Sequence, residues 1–211
     1  GLNLAQALQS ASLTDPGRVR DHNEDCIESR PGSGLYVLAD GMGGYNAGQV
    51  GSGMATSLIA DGLAETWKPR EVDRMSREQA MSLSQSLIIE QIGRANSAIF
   101  TTSQNNPECA GMGTTLVVCL FYDNFITVAH IGDSRLYRQR GETFEQVTRD
   151  HSLLQEQLDS GLITPEEAKL SQNKNLVTRA LGIDPTVEPE VHVYETQPDA
   201  VFLLCSDGLS H

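Results

Sequence analysis

The stretch LYVLADGMGG at residues 35–44 decides how the rest of the chain is interpreted. Its apolar residues 35–39 run into Asp40-Gly41 and then into further glycines, which predicts a buried strand that stops at an acidic turn. A carboxylate at the end of a buried strand costs free energy unless a partner such as a hard metal ion compensates it. The stretch therefore predicts a strand that delivers Asp40 to a cation site.

A second stretch repeats this design near the end of the chain. The apolar run VFLLCS at residues 201–206 leads directly into Asp207-Gly208. Because Asp-Gly is also a common turn dipeptide, either copy alone is compatible with an ordinary turn. Two copies, each at the exit of an apolar strand, favour two halves of one site.

Composition excludes several classes of function. The 211 residues are 39% hydrophobic, which suits one globular domain, and the sequence contains no apolar run long enough for a membrane span and no signal segment. The net charge of −13 disfavours nucleic acids and anionic membranes as partners, since both require a basic surface. The four cysteines form no CxxC pair, so we expect free thiols and a cytoplasmic protein.

The order of predicted elements indicates an α+β fold with antiparallel sheets covered by helices. Helical spacing predicts helices at 48–67 and 76–100, the second opened by a Ser76/Gln79 capping box. Shorter predictions are a helix at 2–8 and strands at 10–14 and 26–29. Further strands are predicted at 114–122, 125–131, 135–140, 143–148, 187–194 and 200–205.

Residues 150–181 interrupt this series of strands with short polar helices, predicted at 151–160, from Pro165 with Thr164 as its cap, and at 173–180. Insertions of this kind are often mobile lids or substrate flaps. The alternative is a plain surface elaboration.

Five acids lie at breaks between the predicted buried segments: Glu24, Asp25, Asp40, Asp133 and Asp207. If these breaks converge, the carboxylates would repel one another unless cations neutralise them. Oxygen ligands without nearby His or Cys favour Mg²⁺ or Mn²⁺ over zinc.

Two such ions about 3.5–4 Å apart lower the pKa of a water molecule and align it for attack on phosphorus. Arg20, four residues before Glu24, is the candidate that holds phosphoryl oxygens bidentately. A surface salt bridge is the alternative role for Arg20.

Seven short motifs in order carry a family resemblance: RxxNED at 20–25, LADGMGG at 38–44, GMGTT at 111–115, IGDSR at 131–135, TRDHS at 148–152, TRALG at 178–182 and LCSDGL at 204–209. Together they resemble the metal-dependent type 2C (PPM) serine/threonine protein phosphatases in their bacterial form, from about Ser12 to the end. The resemblance implies a four-layer α-β-β-α sandwich of two antiparallel sheets flanked by helices. It also implies a dinuclear Mn²⁺ or Mg²⁺ centre at the sandwich edge.

The resemblance also assigns roles to the acids. Asp40 would bridge the two metals, the carbonyl of Gly41 would bind one of them, and Asp207 would bind the other. Glu24 and Asp25 would either bind metal directly or orient its ligands.

Outside the dinuclear centre, Asp133 resembles the acid that holds a third, looser metal together with Asp207. Arg20 resembles the phosphate clamp, and residues 150–181 resemble the flap that tunes substrate choice.

Three departures from the family pattern stand out. Met42 replaces a histidine that eukaryotic relatives use as a proposed general acid, which leaves His151 as a candidate. Residues 171–175 read SQNKN where bacterial relatives have HPxRN. No Asp-Asn motif follows Asp207 to supply another metal ligand, so the sequence predicts a fold whose C-terminal part is missing.

The resemblance implies hydrolysis of phosphoserine and phosphothreonine in proteins by a metal-activated water. We expect a single phosphatase domain over residues 1–211, monomeric, acting on phosphorylated proteins made by a bacterial Ser/Thr kinase. One alternative is a truncated or catalytically incomplete member that only binds phosphoproteins. Another is a hydrolase of small phosphate esters.

Overall fold

The computed structural model describes residues 24–44, 46–172 and 176–206. The helix predicted at 2–8, the strand at 10–14 and the site residues Arg20 and Asp207 lie outside these ranges. None of the described helices is both long and apolar enough to cross a lipid bilayer.

Two antiparallel sheets form the centre of the fold. The larger has the order β1 (Asp25–Arg30), β2 (Leu35–Met42), β4 (Leu116–Tyr122), β5 (Phe125–Ile131) and β8 (Glu190–Glu195), and β3 (Gly113–Thr114) pairs with the end of β2. The smaller has the order β7 (Thr143–Gln146), β6 (Arg135–Arg140) and β9 (Val201–Cys205).

Strand β4 explains why the two sheets stack. All seven of its residues are buried, because its two faces meet different partners. Leu116, Val118 and Leu120 point into the core shared with the helices, whereas Val117 and Phe121 pack toward the smaller sheet. A strand that is apolar on both faces can lie only between two covering layers.

Long helices cover the larger sheet. They are α1 (Ala47–Thr66) and α3 (Arg77–Asn105), joined by the short α2 (Pro69–Val72). Ile59 of α1 and Ile88 and Ile92 of α3 are fully buried against it. Two short helices, α4 (Leu153–Asp159) and α5 (Pro165–Lys169), lie between β7 and β8. The predicted class, two antiparallel sheets flanked by helices, is confirmed.

Several predicted boundaries were wrong for reasons of pairing. Strand β2 does not stop at Asp40 but continues to Met42, because β3 pairs with its last two residues. The strand predicted at 114–122 is interrupted at Thr115. The helix predicted at 173–180 is absent from its described part, residues 176–180, where Val177 instead forms a β-bridge with Ser152.

The capping box predicted for α3 is present. Ser76 Oγ accepts a hydrogen bond from the Gln79 N–H at 3.1 Å, and Gln79 Oε1 accepts one from the Ser76 N–H at 3.0 Å. We expect Ser76→Ala to lower the free energy of unfolding by about 1 kcal/mol, measured by urea denaturation. Ser82→Ala, at an exposed position inside the same helix, should cause no loss because alanine is the better helix former.

Candidate active site

Asp25 and Asp40 face each other across two neighbouring strands. They are direct partners in the register of β1 and β2, which places both side chains on the same face with Cβ atoms about 5 Å apart. Residues alternate along β2, so Asp40 lies on the side of Tyr36, which packs toward the smaller sheet. Asp40 is only 7% exposed. The two carboxylates therefore lie between the sheets, at the end of the larger one.

Glycines allow α1 to begin directly against this strand end. A Cβ on Gly41 would lie 1.8 Å from the carbonyl oxygen of Gly48, so the two backbones are in contact. The carboxylate of Glu24 covers Gly48, 2.8 Å from where a Cβ there would be. The Gly41 N–H also donates to the carbonyl of Glu24 at 3.1 Å. Glu24 and Gly41 are thereby held beside Asp40.

A chain of hydroxyl groups joins the two sheets at the same place. The Asp40 N–H donates to Thr115 Oγ1 at 3.1 Å, and Thr115 Oγ1 lies 2.5 Å from Ser134 Oγ. Ser134 Oγ donates to the carbonyl of Ser206 at 3.1 Å, and Ser206 Oγ donates to Asp25 Oδ2 at 2.7 Å. Because the Ser134 hydrogen is used on Ser206, the Thr115 hydroxyl must donate to Ser134.

This network decides which predicted site residues meet. It brings Ser134, which follows Asp133, and Ser206, which precedes Asp207, to the paired acids. Asp133 itself follows β5 in a turn and is half-buried. Arg20 and the side chain of Asp207 lie outside the described residues.

The start of the 150–181 insertion is fixed next to this turn by an ion pair that the sequence did not reveal. Arg135 donates from Nε and Nη2 to the two carboxylate oxygens of Asp150 at 2.8 and 2.6 Å, and from Nη1 to the Tyr137 hydroxyl at 2.8 Å. The hydrogen bonds to Asp150 raise the pKa of the Arg135 guanidinium above its usual value. The IGDSR and TRDHS motifs are thus contacting partners.

Comparison with known proteins matches this arrangement. The sequence model of the Protein phosphatase 2C family aligns with residues 18–211. The chain belongs to this family. The phosphatase 2C chain is 37% identical over 201 residues to the serine/threonine phosphatase stp of Listeria monocytogenes serotype 4b, covering 94% of this chain and 76% of that protein.

Solved structures show the same architecture. The phosphatase 2C chain resembles the crystal structure of the Mycobacterium tuberculosis serine/threonine phosphatase PstP/Ppp with a TM-score of 0.77 at 38% identity, covering 93% of this chain and 77% of that one. It also resembles the catalytic domain of PstP in complex with two manganese ions, with a TM-score of 0.71 at 38% identity, covering 93% and 76%.

The phosphatase 2C chain also contains a buried histidine cluster that sequence spacing missed. The rings of His130 and His151 stack with centroids 4.5 Å apart and planes 16° apart, beside Glu190. Both Nε2 atoms carry hydrogen: His130 Nε2 donates to the Arg149 carbonyl at 2.7 Å, and His151 accepts the Gly132 N–H on Nδ1 at 3.0 Å.

This cluster does not suit a metal ion. A ligating imidazole nitrogen needs a free lone pair, and the ion lies in the plane of the ring. Two nearly parallel rings cannot direct their lone pairs at one ion, and both Nε2 lone pairs are replaced by hydrogen. The acids at the sheet ends therefore stay the predicted metal ligands of this phosphatase 2C chain.

His151 is also unsuited to the predicted role of general acid. It is 8% exposed, and burial, followed by the charges of His130 and Arg179, lowers its pKa from 6.5 to about 4. A general acid must hold its proton near the working pH. His151 is neutral there, with its only lone-pair nitrogen occupied by Gly132.

The low pKa of His151 predicts acid sensitivity. The groups that face it are His130, Arg179, Glu190 and Asp150, of which only the two acids raise its pKa. In the unfolded state His151 takes up a proton near pH 6.5, and in the folded state only near pH 4. The contribution of the neutral His151 to the free energy of unfolding is therefore complete above pH 6.5 and decreases as the pH is lowered toward 4. We expect a loss approaching about 1.4 kcal/mol per pH unit across that window.

Urea unfolding between pH 4 and 7 measures this effect. His151→Phe keeps an aromatic ring at this position but cannot titrate. In this variant the free energy of unfolding should change less steeply with pH, by the contribution of one proton. An unchanged slope would contradict a neutral, buried His151.

Proposed function

We propose that this chain hydrolyses phosphoserine and phosphothreonine in proteins at a dinuclear Mn²⁺ or Mg²⁺ centre. The hydroxyl chain from Asp40 through Thr115, Ser134 and Ser206 to Asp25 carries this proposal, because it joins four segments that each bear or adjoin a predicted metal ligand. The family membership and the manganese-bound PstP structure support it.

The donor set fits hard divalent ions. It offers carboxylate oxygens and a backbone carbonyl within a site built by close glycine contacts, and such oxygen ligands favour Mg²⁺ and Mn²⁺. When bound, the ions would lower the pKa of a water molecule and orient it toward phosphorus. The residues proposed to hold them are Glu24, Asp25, Asp40, Gly41 and Asp207, with Asp133 and Asp207 at a third ion.

The remaining polar groups of the chain would position these ligands and the substrate. Thr115 fixes the backbone of Asp40 on both sides, since its Oγ1 accepts the Asp40 N–H and its own N–H donates to the Asp40 carbonyl at 2.9 Å. Ser206 fixes one oxygen of Asp25. Arg20 is proposed to hold the phosphoryl oxygens bidentately, as a planar guanidinium can.

A cleft at the end of β2 supports a protein as substrate. It has a volume of about 340 Å³ and lies between Met42, at the end of β2, and residues of the 150–181 insertion and the loop after it, including Val177, Arg179 and Ile183. Pockets of this size hold small ligands or side chains. Because Met42 lies two residues after Asp40 in the chain, a peptide side chain in this cleft would lie near the phosphate.

The broader setting is part of the same proposal. We infer a single phosphatase domain with residues 150–181 as its flap, acting as a monomer on proteins phosphorylated by a bacterial Ser/Thr kinase. All four cysteines are free thiols, which agrees with a reducing cytoplasm.

Phosphate release from a phosphoserine peptide in Mn²⁺ tests the proposal, with EDTA as the metal-free control and a nucleoside monophosphate as the competing substrate. We expect hydrolysis of the peptide that EDTA abolishes and that exceeds hydrolysis of the nucleotide. Preference for the nucleotide would indicate a hydrolase of small esters. Peptide binding without hydrolysis would indicate a phosphoprotein-binding module.

A further inference from the structure

His151 holds three parts of the molecule at once. Its backbone N–H donates to the Gly132 carbonyl at 2.9 Å, while the Gly132 N–H donates back to its Nδ1 at 3.0 Å. Its carbonyl accepts the Thr178 N–H at 2.9 Å. Its ring stacks on His130 of β5. One buried residue therefore connects the turn after β5 to the returning end of the insertion.

The Gly132 turn is a rigid anchor independently of His151. Gly132 has a φ of +98°, which disfavours other residues, and a Cβ there would lie 2.8 Å from the Thr115 side chain. Ser134, two residues later, is held by Thr115 and Ser206. A substitution of His151 keeps the backbone bonds to Gly132 and Thr178 but removes the Nδ1 acceptor or the ring contact, so it would loosen residue 151 and the insertion rather than the turn.

Two other backbone contacts hold the described part of the returning end, residues 176–180, besides the approach of the Arg179 carbonyl to Gly132. Val177 forms a bridge with Ser152, and Leu153 donates to the Leu176 carbonyl at 2.9 Å. Ser152 and Leu153 directly follow His151 in sequence, so a displacement of His151 would displace these two contacts as well. The next fixed point is Leu181, which pairs with Thr114. Residues 177–179, which line the cleft, thus lie between His151 and the Leu181 bridge.

We propose that His151 is a positioning residue that fixes residues 177–179 as one wall of the substrate cleft. This inference rests on the proposed phosphatase function. Because residues 177–179 line the cleft and include none of the residues proposed to hold metal or phosphate, the loss of the His151 side chain would impair phosphopeptide binding. It would leave turnover of a small aryl phosphate largely intact.

Two substitutions distinguish the hydrogen bond from Gly132 to His151 Nδ1 from the stacking of the His151 ring on His130. His151→Phe keeps the ring stacked on His130 but removes the acceptor for Gly132. His151→Asn loses the ring, but its Oδ1 takes the position of Nδ1 and can accept the same N–H. Ser160→Ala, an exposed change within the insertion, serves as the matched control.

We expect His151→Phe to raise the KM for a phosphoserine peptide about ten-fold while KM and kcat for p-nitrophenyl phosphate stay within about three-fold, as the loss of one buried acceptor implies. His151→Asn should restore much of the peptide KM, and Ser160→Ala should behave as the unchanged protein. Equal losses with both substrates, or no rescue by His151→Asn, would overturn the proposal. So would a failure of both variants to fold, because His151 would then be a packing residue of the core.

Hydrogen exchange gives a readout that does not depend on activity. In His151→Phe we expect amides in residues 176–180 to exchange about ten-fold faster, with β4 and β5 unchanged. Exchange that is unchanged at 176–180 overturns the role of His151. If the unsubstituted protein hydrolyses nothing but the exchange result holds, the phosphatase proposal fails and the positioning of the loop stands.

Discussion

Asp40→Asn should abolish hydrolysis, with kcat for a phosphopeptide falling about 10³-fold or more, because loss of the carboxylate proposed to bind the metals would remove several kcal/mol of electrostatic stabilisation. The amide has nearly the shape of the carboxylate and keeps the backbone bonds to Thr115, so the fold should persist. Steady-state kinetics in Mn²⁺, together with calorimetric titration of Mn²⁺, would measure both the activity and the lost metal affinity.

Asp61→Asn is the control for this change. Asp61 is an exposed acid that pairs with Arg30 on the surface, so its neutralisation should alter neither kcat nor Mn²⁺ binding. If Asp40→Asn bound Mn²⁺ and turned over substrate as well as Asp61→Asn does, the proposed metal centre would be wrong.

The second large effect is expected at Gly41. A Cβ there would lie 1.8 Å from the carbonyl oxygen of Gly48, and neither backbone can move without separating α1 from β2. We expect Gly41→Ala to destabilise the protein by about 3 kcal/mol or more, at the upper end of overpacking effects. Activity should fall together with stability, since Asp40 is the neighbouring residue.

Gly53→Ala tests whether the loss of stability in Gly41→Ala comes from the close contact between Gly41 and Gly48. Gly53 lies within α1, and a Cβ there would meet nothing within 4 Å. Alanine should therefore stabilise the helix, by about 1 kcal/mol. Urea denaturation of both variants compares them directly, and two equal losses would contradict the close contact between Gly41 and Gly48.

Sequence patterns predicted several strands closely. The bounds predicted at 125–131 and 135–140 agree with β5 and β6. The Ser76 and Thr164 helix caps were also correct, since capping depends on residues three positions apart. These features depend on local spacing, which a single sequence contains.

Predictions failed where distant residues decide the backbone conformation. Residues 176–180 have helical character in sequence, but bridges of Val177 with Ser152 and of Leu181 with Thr114 prevent a helix there. Strand β2 passes through Asp40-Gly41 because β3 pairs with it from far along the chain.

The candidate site was predictable only in part. The paired acids Asp25 and Asp40 were found from their places at strand ends, and their direct apposition follows from the strand register. The hydroxyls of Thr115, Ser134 and Ser206 carry no pattern of their own, so their network could not be predicted. The stacking of His130 on His151 likewise required the tertiary fold.

The hydroxyl chain has a consequence for how the protein becomes active. The bond from Ser206 to Asp25 joins residues 181 positions apart, so all the residues between them must exist before the site closes. Contacts of such long separation form late in folding, and synthesis proceeds from the N-terminus. A nascent chain that still lacks β9 would be unable to release phosphate. Catalytic competence would thus appear in one step, only after β9 has been synthesised.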